Sequence, residues 1–150
     1  MKKISDIRAA LATALADING GGVFYTRLLP ANIHDTFSNK IMLKREERDY
    51  PKACITLEDG KFEKRPSNCV FTTLNLLVVL AVKNNGERDI AAQIKIEKFV
   101  EDLEIAVNLN STLGGLVEDL SLVDFETDGG FTDPEGIAAC SLIATYIDEG

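Results

Sequence analysis

The most constraining feature of the sequence is the segment 70–82, in which both alternating sets of side chains are largely apolar. One set is Val70, Thr72, Leu74, Leu76, Val78, Leu80 and Val82, and the other is Phe71, Thr73, Asn75, Leu77, Val79 and Ala81. Successive side chains of a strand point to opposite faces of a sheet, and a strand buried on both faces is apolar almost throughout. The segment therefore predicts a long central strand that is covered on each side.

Two segments show the spacing of three and four residues that places apolar side chains along one stripe of a helix. The first covers residues 4–18, and the glycines at 20–22 predict a turn after it. The second runs from Asp89, which can cap a helix, to about Asn108. Its predicted buried stripe is Ile96, Phe99, Val100, Leu103, Ala106 and Val107. The first stripe is Ile4, Ile7, Leu11, Ala14, Leu15 and Ile18.

Further strands are predicted at residues 23–29, 116–125 and 137–147. Segments 53–57 and 62–65 flank Asp59-Gly60, a pair typical of a β-hairpin turn. The polar residues 31–51 indicate a long exposed loop or hairpin. This order of elements predicts one α+β domain over residues 1–150, with two helices packed on a mainly antiparallel sheet.

Charge is distributed very unevenly along the chain. Residues 1–100 hold all 16 Lys and Arg residues and 12 acids, a net charge of +4. Residues 101–150 hold 12 acids and no Lys or Arg, a net charge of −12. An acidic surface repels phosphate backbones, whereas a chain with two oppositely charged parts can attract copies of itself. Specific nucleic-acid binding is therefore disfavoured, and self-association is favoured.

The reactive side chains do not indicate an enzyme. His34 is the single histidine, and no nucleophile motif or phosphate-binding fingerprint accompanies it, so we predict no catalytic residues and no cofactor. Cys54, Cys69 and Cys140 lack the spacing of a zinc site or a disulfide framework, and reduced, buried thiols are expected. The sequence shows no secretion signal and no apolar run long enough to span a membrane, so we expect a soluble protein made in the cytoplasm.

One acidic segment has the spacing of a calcium-binding loop. Asp124, Glu126, Asp128 and Glu135 occupy the first, third, fifth and twelfth positions, with Gly129 at the sixth. Glu126 stands where Asp or Asn is preferred, and the flanking segments are predicted strands rather than helices. An acidic hairpin loop without a metal is therefore the preferred interpretation, and a calcium site is the alternative.

The predicted loop carries a group of basic residues. Lys40, Lys44, Arg45, Arg48 and Lys52 lie there, with Glu46, Glu47 and Asp49 among them. Either the loop is a solvated surface of mixed charge, or it forms a subunit contact with the acidic final third of the next copy. In that second interpretation, Lys40, Lys44, Arg45 and Arg48 face the acids Asp124, Glu126 and Asp128.

The order of elements is similar to that of a known family. An N-terminal helix precedes the segment PKACITLEDG at 51–60, a long apolar strand and a second helix; LGGLVEDL at 113–120 and a closing strand ending in ATY at 144–146 follow. The chain thus resembles the tail terminator, or minor tail protein U-like, family of long-tailed bacteriophages and prophages over residues 4–147. The resemblance implies a structural α+β subunit that forms a hexameric ring, stops polymerisation of the tail tube and joins the tail to the head.

The resemblance also implies the partners and the location. These are further copies of the chain, the tail tube protein and a head–neck connector protein, first in the host cytoplasm and then in the virion tail, with no membrane partner. Another head–tail connector or tail-associated structural protein is the main alternative, and a calcium-binding module is a further one. The 12 acids of the final third can line either the lumen of the ring or the seam between subunits.

Overall fold

The computed structural model describes residues 4–36, 46–84, 91–130 and 133–149. In these ranges the α-helices are α1 (Ile4–Leu15) and α2 (Ala92–Leu109). The strands are β1 (Ile33–His34), β2 (Lys52–Lys64), β3 (Cys69–Lys83), β4 (Asp119–Thr127) and β5 (Glu135–Glu149). They form one sheet in the order β1-β2-β3-β5-β4, in which β1 pairs parallel with β2 and all other pairs are antiparallel. The predicted α+β class is confirmed.

The long central strand is also confirmed, because β3 lies in the middle of the sheet with β2 and β5 on its two sides. The even-numbered residues 72–80 of β3 are buried, and those from 74 to 80 belong to the same hydrophobic core as Leu11 and Phe99. The odd-numbered residues 71–79 point to the other face and are only half-buried. The sequence predicts that both faces of this strand are covered. Among the described residues, only the face that packs against the helices is fully covered.

Both helices follow their predicted stripes. In α2 all six predicted stripe residues are buried. The helix begins at Ala92, with Ala91 at the N-cap position and no side-chain cap, and the predicted cap Asp89 lies outside the described residues. The helix α1 ends at Leu15 rather than at Ile18, because the next three N–H groups bind carbonyls three residues back. Ile18 nevertheless remains fully buried.

The predicted hairpin turn at Asp59-Gly60 is wrong. The strand β2 continues through these residues with a register shift between Leu57 and Asp59, and the chain turns at Pro66–Asn68. A Cβ atom on Gly60 would lie 3.0 Å from Leu74 Cδ2 and 3.3 Å from the Thr73 carbonyl. The glycine therefore permits close packing at an irregularity of the strand rather than a turn.

The predicted strand at 23–29 is also wrong, since the only ladder contact described for this segment is an isolated bridge between Asn19 and Arg27. The backbone N–H donors of this segment bind a side chain instead of a neighbouring strand. The N–H groups of Tyr25 and Thr26 donate to the carboxylate of Asp102 on α2, at 3.1 and 2.7 Å. A segment whose donors bind a helix side chain cannot use the same donors in a strand ladder.

The last two strands are confirmed with shifted bounds. The strand β4 begins three residues later than predicted, after a 3-10 turn at Leu113–Gly115, and β5 extends beyond the predicted segment at both ends. Where α2 starts, it packs tightly on β5, because a Cβ atom on Gly136 would lie 2.6 Å from the Ala92 carbonyl oxygen. Among the described residues, no helix combines the length and the apolar character needed to cross a membrane.

The segment predicted as an exposed loop is described at residues 31–36 and 46–51. It contains β1 and two short 3-10 turns, and the Asn32 side-chain amide donates to the Arg48 carbonyl at 3.0 Å. Asn32 and Tyr50 are buried. Lys40, Lys44 and Arg45, the predicted basic contacts, lie outside the described residues.

Candidate subunit interface

The histidine and the cysteines take positions in the sheet. His34 on β1 is the parallel partner of Cys54 on β2. Burial raises the pKa of the Cys54 thiol, although the Lys52 ammonium acts in the opposite direction. Burial, reinforced by the charge of Asp124, raises the pKa of Cys140 to about 12. Thiols with a raised pKa stay protonated near neutral pH, so this environment does not favour a cysteine nucleophile.

The predicted burial of the thiols is confirmed at two of the three cysteines. Cys54 and Cys140 are free and buried. Cys69 is also free, but it lies at the start of β3 and is only partly buried.

The residues with calcium-loop spacing belong to a β-hairpin. Asp124 and Glu126 lie within β4, where they pair with Ser141 and Ala139 of β5. Asp128 follows the strand and accepts a hydrogen bond from the Gly130 N–H at 3.0 Å, while Glu135 begins β5. No group of three potential metal-binding side chains occurs in the described part of the chain. The flanks of the acidic segment are strands, as predicted, and the segment is part of a hairpin.

The acidic residues of α2 and β4 enclose an open groove, which we call the acidic groove. Its volume is about 590 Å³. Its acids are Glu97, Glu101 and Glu104 on α2 and Asp124 on β4, and its other lining residues are Gln93, Val100, Leu122, Val123, Phe125 and Thr127. Val123 and Phe125 are each about half exposed, at 51% and 50%. The groove thus combines negative charge with exposed apolar surface.

The other flank of α2 is basic. Lys95 lines a pocket with Arg27, Lys83 and the rings of Tyr25 and Tyr50. The Lys98 ammonium lies 4.5 Å from the centre of the Tyr25 ring, and that of Lys52 lies 4.5 Å from the Tyr50 ring. Ammonium groups at this distance are attracted by the negative face of an aromatic ring. Opposite charges therefore occupy the two exposed flanks of one helix.

The strand order extends this separation to the whole sheet. The strands β4 and β5, whose charged residues are all acids, are neighbours at one side of the sheet. The strands β2 and β3 on the other side contain the four lysines of the sheet, Lys52, Lys61, Lys64 and Lys83, together with the acids Glu58, Asp59 and Glu63. The acid-rich final part of the sequence thus forms one side of the sheet, and all lysines of the described strands lie on the other side. Charge patches of opposite sign on separate sides are suited to contacts between identical copies.

The predicted interface residues fit this arrangement only in part. Asp124 lines the acidic groove, and Glu126 is exposed two residues further along β4. Arg48 is exposed, and its guanidinium lies 2.8 Å from Glu46, so a neighbouring carboxylate offsets part of its charge. The acids of α2 were not predicted as interface residues, although their spacing of four and three residues along a helix was visible in the sequence.

Comparison with family models and with curated proteins identifies no relative. No family model matches the chain, and no curated protein matches its sequence. The function must therefore be argued from the residues, the geometry and the resemblance in element order.

Proposed function

We propose that the chain is the structural subunit of a phage or prophage tail terminator. In this proposal its copies close into a ring that caps the tail tube, stops tube polymerisation and joins the tail to the head. The chain acts by assembly and has no enzymatic activity. Its partners are other copies of itself, the tail tube protein and the head–neck connector.

The observation that supports assembly is that β4 and β5 contain acids and no cations at one side of the sheet, whereas all lysines of the described strands lie on β2 and β3 at the other side, where three acids accompany them. The acidic side of one copy attracts the lysines on the other side of the next copy, and this contact uses two different surfaces. Such head-to-tail contacts repeat, and they either close into a ring or continue as a filament. A protein that ends a tube has to close, because an open edge would allow further growth.

The link to tail terminators is the resemblance in element order, from the N-terminal helix to the closing strand. The structure adds that both helices pack on one face of a five-stranded sheet, an arrangement compatible with a small ring subunit. Another head–tail connector would share these features. Its ring would bind at the neck without stopping tube growth.

Tube growth in vitro distinguishes these functions. The tail tube protein of the phage or prophage that encodes the chain is polymerised with and without it, and tube lengths are measured by negative-stain electron microscopy. We expect shorter tubes with a ring at one end. The variant carrying Glu97→Lys and Glu101→Lys, which reverses exposed acids of the groove, should lose this effect. Equal tube lengths with and without the wild-type chain would contradict the terminator function.

A further inference from the structure

The end of the β2–β3 hairpin carries an exposed aromatic side chain. Every residue from Glu58 to Asn68 is exposed, and Phe62 is 67% exposed. We call residues 61–65 the hairpin tip. An exposed phenylalanine beside a tight turn contributes little to the core of its own chain, whereas aromatic residues are enriched at protein interfaces.

The hairpin tip is basic. It contains Lys61, Lys64 and Arg65 and a single acid, Glu63. The guanidinium of Arg65 lies 4.4 Å from the centre of the Phe71 ring on β3, which positions this cation beside the turn. The tip thus presents one large apolar side chain among positive charges.

The acidic groove has the complementary composition. Its acids surround the half-exposed Val123 and Phe125, and no Lys or Arg is among its described lining residues. At its edge, Gln93 donates its amide to Thr127 at 3.2 Å, while Gln93 Oε1 is buried and has no hydrogen-bond partner among the described residues. The groove thus presents negative charge and apolar surface to a basic partner that carries an aromatic side chain.

The hairpin tip cannot reach the groove of its own copy. Phe62 pairs with Thr72, which pairs with Tyr146 on β5, whereas Phe125 pairs with Cys140 on the same strand. Three strand spacings of about 4.8 Å and six residue steps of about 3.4 Å separate the two sites, so they lie roughly 25 Å apart. Any tip that fills a groove therefore belongs to another copy.

We propose that the acidic groove of one copy binds the hairpin tip of the next, with Phe62 against Val123 and Phe125 and with Lys61 and Lys64 facing the acids of α2. This inference rests on the proposed assembly into a ring and assigns its contact. Each copy contributes one tip and one groove, so the contact is head-to-tail. The apolar side chains hold the contact, and the charges set its register and rate of formation.

Complementary charge reversal tests this contact. A tip variant carries Lys61→Glu and Lys64→Glu, and a groove variant carries Glu97→Lys and Glu101→Lys; all four residues are exposed, so both variants should fold. Alone, each variant brings like charges together, and we expect at least a tenfold weaker assembly by light scattering. In an equal mixture of the two variants, the reversed tip of one variant meets the reversed groove of the other. The native tip of the second variant then meets the native groove of the first. The mixture should therefore regain assembly.

Substitutions at two exposed residues, one in the proposed contact and one outside it, test the apolar part of the contact. Phe62→Ser should weaken assembly at least tenfold, whereas Val23→Ser, at a residue that is 68% exposed in the glycine turn, should leave it unchanged. Circular dichroism checks that both variants fold. If the groove instead binds a basic partner of another kind, Phe62→Ser and Val23→Ser will both assemble like the wild type.

The outcomes separate this contact from the proposed function. A wild-type chain that stays monomeric, variants that assemble normally, or a mixture that does not recover would each overturn the contact. If the variants assemble normally and tubes are still capped, the contact is wrong and the terminator function stands. If the mixture recovers and tube length is unaffected by the chain, the contact stands and the terminator function is wrong.

Discussion

At the residue scale, Asp102 connects two distant parts of the chain. Its buried carboxylate accepts hydrogen bonds from the N–H groups of Tyr25 and Thr26, more than seventy residues earlier. The sequence did not reveal this role, because an acid beside the apolar stripe of a helix carries no local sign of its partners. The same contact explains why residues 23–29 do not form the predicted strand.

Replacing Asp102 should therefore cost stability. In Asp102→Ala two N–H groups lose their acceptor in a buried site, which costs about 1–3 kcal/mol. Urea unfolding followed by circular dichroism measures the loss. The control is Glu101→Gln at the exposed neighbouring residue, with an expected change within about 0.5 kcal/mol. Equal stabilities of the two variants would show that the carboxylate does not fix the segment.

At the element scale, β3 has two different faces. Leu76 is fully buried against the helices, whereas Leu77 on the opposite face is only half-buried. Leu76→Ala should lower the free energy of unfolding by about 2–5 kcal/mol, because it leaves a cavity in the core. Leu77→Ala is the matched control and should cost clearly less under conditions in which the chain is monomeric. A loss at Leu76 no larger than that at Leu77 would contradict the observed packing.

The sequence patterns predicted those elements that depend on neighbouring residues. The predictions failed where contacts between distant parts of the chain determine the structure. The central strand and both helices follow from alternation and helical spacing, and these patterns need no knowledge of the rest of the fold. Asp59-Gly60 has the composition of a hairpin turn, yet in the structure Gly60 lies within β2, where the strand approaches Leu74 closely. The actual turn uses Ser67 and Asn68 with positive φ angles of 75° and 61°. Pro66, Ser67 and Asn68 are residue types that favour turns, so this signal was present in the sequence, but the pattern alone did not show that it prevails over Asp59-Gly60.

At the scale of the whole molecule, the charge imbalance was visible in the sequence, but its location was not. The order β2-β3-β5-β4 decides that the acid-only strands share one side, and strand order depends on pairings between distant segments. The interface was predicted from a basic loop and an acidic hairpin. The described structure adds the acids of α2 and the cations of the β2–β3 hairpin tip, which lie far apart in sequence and on different sides of the molecule.

The most direct test of the account is the mass of the wild-type chain in solution. Light scattering is recorded over a range of concentrations at low and moderate salt. We expect a discrete multiple of the 16.4 kDa chain mass, six copies if the resemblance to tail terminators holds, with only partial weakening by salt because apolar contacts remain. A monomer at every concentration, even with tail tube protein present, or open-ended growth into filaments would contradict the ring.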